Sequence, residues 1–269
     1  MEEKDQNHSN QDYLDRDKEN LFQNSAEEQE KANKDEEEET IIQMKRHLGW
    51  IDLIIVLAGM IILFLGLGLV FGWISRLWPH EKILLYANGF LTQFMFFIML
   101  IFLRFVRKWK WSDFGWRKVD RELFMGSVLK VYGITWLLNL VYGAFLLQRG
   151  FTPPETDVYS QLLGHATPVT FILNLLLTGL LAPIFEETLF RGVIFGGLQS
   201  YFGKITSAVL SAIIFSALHF QMYGFFPRFI LGLALAYLYE KHQSLYPSMT
   251  MHSLNNVVAL MLVTVSGGY

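Results

Sequence analysis

From Leu53 to Ser75 the chain carries no ionisable side chain. A bilayer core about 30 Å thick is crossed by about 20 helical residues, so this stretch is long enough to span one. With no water in hydrocarbon to satisfy its backbone, it must do so as a helix. Six further stretches have similar character, giving candidates at 51–74, 83–103, 122–147, 168–199, 204–223, 225–240 and 246–266. The expected fold is all-α, a polytopic transmembrane helical bundle of about seven spans. An eighth crossing made by a re-entrant piece would leave no signature in the pattern. Gly66, Gly68 and Gly72 fit close helix packing, and Trp50, Trp73 and Trp78 sit where an interfacial aromatic belt would.

Charge divides the chain. Residues 1–40 hold fifteen of the 25 acids and five of the 22 bases, a net −10 against +7 in the rest. That segment has too little apolar surface to offset its ordering entropy and is expected to be a disordered cytoplasmic tail. Residues 41–121 are then the first two spans with a basic interfacial segment, and 122–269 a helical core. The acidic start does not resemble a signal peptide. Arg104, Arg107, Lys108, Lys110, Arg117, Lys118 and Arg121 crowd the loop after the second span, which places that loop and the N-terminus in the cytoplasm. The implied location is a cell membrane, a bacterial plasma membrane by the look of the chain. Trp109, Trp111 and Trp116 alternate with these bases as an interfacial anchor would. The lipid bilayer is the expected partner and nucleic acid is not. With no cysteine, disulfides, thiolate metal sites and cysteine nucleophiles are excluded.

Most polar residues inside the spans read as packing. Asp52 lies at an edge, Lys130 can snorkel, and Asn139, Asn174 and Thr178 can hydrogen-bond between helices. Three clusters resist that reading, each with i, i+4 spacing. Glu186-Glu187-x-x-x-Arg191 pairs Glu187 with Arg191 on one face and leaves Glu186 about 100° round the helix. Phe215 and His219 form the second, His252 and Asn256 the third. Counted from a turn at Phe202 and Gly203, Glu186 and His219 both lie about 24 Å along their helices. His252 reaches that depth only if the turn protrudes or Pro247 is sunk, and either arrangement implies a polar cavity opening towards the cytoplasm.

Carboxylate, imidazole and amide groups at one depth suit hydrolysis by an activated water. A partly buried glutamate could act as the general base, with a histidine beside it holding the same water. A further histidine and an amide could donate to the oxyanion of a tetrahedral intermediate. Glu186, His219 and His252 would equally serve as a zinc site with one open position, so the cofactor is either none or Zn2+. Polar glue for a bundle, or an ion pathway, is the competing use. The zinc helix His-Glu-x-x-His and the Gly-x-Ser-x-Gly elbow are both absent.

The three motifs, in this order within about 70 residues, resemble those of the CPBP intramembrane proteases, which include CAAX prenyl endopeptidases and bacterial Abi proteins. Glu186, Glu187 and Arg191 match the first motif, Phe215 and His219 the second, and His252 with Asn256 the third. Gly192 and the stretch around Gly232 agree as well. The likeness covers roughly residues 120–266. It implies an intramembrane endopeptidase cleaving membrane-associated peptides or proteins, with Glu186, His219, His252 and Asn256 catalytic and Glu187, Arg191 and Phe215 supporting. It also admits a non-catalytic membrane adaptor or bacteriocin-immunity protein on the same fold.

Overall fold

The computed structural model describes residues 50–78, 82–151 and 167–265, with positions 29 and 31. Apart from those two positions, the expected disordered tail lies outside the described residues. Those from 50 onward belong to one compact unit, His47–Tyr269. Seven helical stretches follow in order: α1 (Trp50–Leu77), α2 (Lys82–Phe105), α3 (Arg121–Gln148), α4 (Pro168–Gln199), α5 (Lys204–Ala217), α6 (Phe225–His242) and α7 (Leu245–Val265). The chain is a polytopic helical bundle. Five of its helices are long and apolar enough to cross a membrane, α5 and α6 being the other two. Bulky side chains such as Ile62, Leu69 and Leu140 point outward. Such a surface requires an apolar solvent.

Local chemistry sets the ends. Asp120 caps α3 by accepting from the Glu122 N–H at 2.9 Å. Thr167 and Thr170 form a reciprocal capping box ahead of Pro168, whose missing N–H costs nothing in a first turn. Gln243, at φ 47, ends α6 in the left-handed conformation.

α4 is the axis of the bundle. Every residue from Glu187 to Phe195 is buried, so this part of the helix is enclosed on all sides. Its main core joins Val56 and Met60 of α1, Phe96 and Leu103 of α2, Leu189 and Val193 of α4, and Phe215 of α5. Two stretches, Leu175–Leu181 and Thr188–Phe195, are wound as π-helix around the α-helical Ala182–Glu187. Such insertions are frequent at functional sites.

The aromatic and basic segment after α2 does more than anchor. Trp109 and Phe114 are buried, while Trp111 stays outside. A side chain at Gly192 would collide with the Phe114 carbonyl, so glycine there admits the segment against α4. Gly115, at φ +91, turns the chain so that its carbonyl accepts from Leu245 N–H at 2.9 Å, and Ser244 Oγ donates to the Arg117 carbonyl at 2.7 Å. Asp52, 1% exposed, accepts from Arg107 through both oxygens at 2.5 and 3.1 Å. The expected edge residue is thus a tie between α1 and this plug.

The fifth span differs most from the sequence reading. Its helix stops at Ala217, about 21 Å from its start, instead of running to 223. His219 therefore sits in a turn, not on the helix. Phe220 takes φ 53, and the turn is held by Ser216 Oγ donating to the Phe225 carbonyl. Arg228 also donates to the carbonyl and side-chain oxygens of Gln221.

Candidate active site

Glu186 and Glu187 face different partners, as their 100° separation requires. Glu187 is fully buried, and its Oε1 accepts from Arg191 Nη1 at 2.8 Å and pairs with His252 Nδ1 at 2.8 Å. Arg191, also without exposed surface, donates from Nη2 to the Gly232 carbonyl at 3.2 Å and lies 4.7 Å over the Phe215 ring. Close approach of α6 to α5 makes that carbonyl available, because a Cβ at Gly232 would press on Ala212. Phe215 in turn meets the His219 and His252 rings edge-on, at 5.0 and 5.7 Å.

Glu186 points into a cavity of about 370 Å3, whose walls also carry His219, His252 and Asn256. All four sequence-derived candidates therefore reach one space. The imidazole next to Glu186 is that of His252, Nε2 to Oε2 4.0 Å, and not that of His219 as the depth count suggested. His219 instead turns Nδ1 to the Phe215 carbonyl at 2.8 Å, which leaves Nε2 for the cavity. A zinc site does not fit this arrangement: among the described residues no three His, Asp or Glu side chains converge closely enough to hold one ion.

Asn256 is already partly engaged, its Nδ2 donating to the Thr178 carbonyl at 2.8 Å. The cause lies in α4. The π-helical ladder ends with Ala182 N–H donating to the Leu177 carbonyl. The next pair would be Pro183 and Thr178, but proline has no N–H. Asn256 supplies the missing donor and keeps its second amide hydrogen.

Three wall residues escaped the sequence reading. Gln93, buried on α2, donates to Glu186 Oε1 at 3.5 Å. An amide at the centre of an apolar span was the signal. Asn255 adjoins Asn256, and its Nδ2 donates to Asn256 Oδ1 at 3.3 Å. Arg228 stands in the first turn of α6 and lines the cavity.

Pro247 is buried, and the end of the bundle where α7 begins is packed with Trp109 and Phe114. The cavity walls extend instead to His219 and Arg228, where α5 ends and α6 begins. A helix as short as α5 cannot cross a core of about 30 Å. Irregular backbone at membrane depth is tolerated where it lines such a cavity.

Residues 168–258 match the family model described as type II CAAX prenyl endopeptidase Rce1-like. Among curated proteins the chain is similar to an uncharacterised 24.3 kDa protein of Escherichia coli, 28% identical over 163 residues, covering 55% of this chain and 69% of that protein. The UPF0177 protein YxdF of Lactococcus lactis subsp. lactis is 26% identical over 136 residues, covering 46% and 73%. An uncharacterised protein of Mycoplasma capricolum subsp. capricolum is 30% identical over 149 residues, covering 53% and 41%. No solved structure matches. The matched residues 168–258 contain all three motifs and run from α4 through most of α7, so the likeness to the Rce1-like family model rests on the part of the chain that builds the cavity.

Proposed function

We propose that the protein is an intramembrane endopeptidase that hydrolyses membrane-associated peptides or proteins. The observation that carries this reading is the placement of Glu186, His219, His252 and Asn256 around one cavity inside a membrane bundle. Glu186 takes a proton from water, and the hydroxide attacks the peptide carbonyl. His219 Nε2 holds the water from the other side. The carbonyl oxygen becomes an oxyanion, met by the free Asn256 amide hydrogen and by His252 Nε2 in its protonated form. The proton on Glu186 then passes to the leaving amine. Glu187 takes the Nδ1 proton of His252 as its hydrogen bond, so His252 presents Nε2 and no other nitrogen to the cavity. Arg191 balances the Glu187 charge. Gln93 fixes one oxygen of Glu186 and leaves the other towards His252.

Membranes from cells producing wild type, Glu186→Gln or His219→Ala provide the test, by mass spectrometry of newly formed peptide termini. New termini should appear with wild type and vanish with Glu186→Gln. His219→Ala should lower their rate about 100-fold or more, the scale of a lost general acid–base partner. A terminus profile that Glu186→Gln leaves intact would overturn the proposal and favour a non-catalytic adaptor. Repeating the wild-type digestion with a strong chelator decides whether a metal takes part.

A further inference from the structure

A second cavity, of about 510 Å3, lies between α3 and α6 and shares no described residue with the first. Behind it the two helices pack directly through Val128 and Leu235, both without exposed surface. In front they part. α3 contributes Lys130, Ile134 and Leu138 to the walls, and α6 contributes Ile230, Leu233 and Lys241. The slot is therefore apolar along its length and cationic at one end. Lys241 marks that end, its Nζ donating to Ser127 Oγ at 2.9 Å across the gap. Neither lysine has a carboxylate partner among the described residues. Glu240, the nearest acid in sequence, is held by Lys204 at 2.6 Å and Gln199 at 2.7 Å. From Lys241 to Ile230 is about 16 Å along the helix, close to one leaflet of a core about 30 Å thick.

Gly126 supplies a separate observation. A glycine inside a helix weakens it and is usually repaid by close packing, yet a Cβ at Gly126 would meet nothing. This glycine lines the slot beside Ser127 and keeps its cationic end open.

We propose that the α3–α6 slot is a binding site for a phospholipid with an anionic headgroup. The headgroup phosphate sits between Lys130 and Lys241, and one acyl chain lies along Ile134, Leu138, Ile230 and Leu233. Lys130 and Lys241 set two positive charges beside an apolar wall. A lipid phosphate answers both. The site does not depend on whether the protein is a protease.

The full-length protein is transferred into nanodiscs of equal parts palmitoyl-oleoyl phosphatidylglycerol and phosphatidylcholine. After release, native mass spectrometry counts the lipids that remain. Wild type should retain a single phosphatidylglycerol in preference to phosphatidylcholine. Lys130→Gln and Lys241→Gln should each lower the ratio of the two about fivefold, from about 1 kcal/mol per lysine at an anionic lipid surface. Gly126→Phe should lose the retained lipid of either kind. Ile134→Trp fills the slot from its exposed middle and gives the same readout if Gly126→Phe does not fold. Equal retention of the two lipids by wild type, or retention unchanged in the filled variants, would overturn the proposal. A dimer peak that Gly126→Phe abolishes would assign the slot to a second copy and overturn it as well.

Discussion

Arg191 is the largest side chain without exposed surface among the described residues, and its charge and its plane are met from three sides. It meets Glu187 at 2.8 Å, the Gly232 carbonyl at 3.2 Å and the Phe215 ring at 4.7 Å. Breaking a buried ion pair by removing one partner costs about 3–5 kcal/mol, because the other charge is left uncompensated. Arg191→Met should therefore lower stability in detergent by that amount, while Glu187→Gln/Arg191→Met should recover more than half of the loss. A double variant as unstable as Arg191→Met would show that Glu187 is not the charge being balanced. Arg191→Lys should also be costly, since an ammonium cannot serve two acceptors and a ring with one plane. The Glu187–Arg191 pair was legible in the sequence, because i, i+4 geometry is local. That Glu187 also holds His252 was not, for the two are 65 positions apart and no periodicity relates them.

At the scale of the element, α4 couples its backbone to the wall of the cavity. Pro183 deprives the Thr178 carbonyl of its helical donor, and Asn256 of α7 takes that place. An unsatisfied buried carbonyl costs about 1–3 kcal/mol, so Asn256→Ala should destabilise by that much. Pro183→Ala restores an N–H next to Thr178. In the double variant the cost of Asn256→Ala should shrink, with a coupling of about 0.5 kcal/mol or more by thermal unfolding of the four proteins. Strict additivity would mean that the two residues serve separate ends. The sequence showed a proline in a span and an asparagine on a later one. It did not show the π-helical turns that make them partners, since spacing arguments assume 3.6 residues per turn throughout. The same assumption ran α5 on to residue 223. Hydropathy continues past Ala217, but Ser216 Oγ takes the Phe225 carbonyl and turns the chain there.

At the scale of the whole molecule, the helix count was legible because apolar length is additive along the chain. The position of the cavity was not, because it depends on where a helix stops and what plugs the other end. The Trp109–Arg117 plug and the α5–α6 turn carrying His219 lie at opposite ends of the bundle, separated by the length of α5. If positive charge decides the topology, the plug faces the cytoplasm and the cavity lies towards the outer face. The absence of native cysteine makes this directly measurable, since any introduced thiol is the sole target of a maleimide. Ser112, in the plug, and Met222, 86% exposed in the α5–α6 turn, are the positions to use. In intact cells Met222→Cys should react with a membrane-impermeant maleimide, and Ser112→Cys should react only after permeabilisation. The reverse pattern would invert the protein in its membrane and turn the cavity towards the cytoplasm, leaving its geometry untouched. Labelling of both thiols from one side would overturn the placement of the plug and the α5–α6 turn at opposite ends of the bundle.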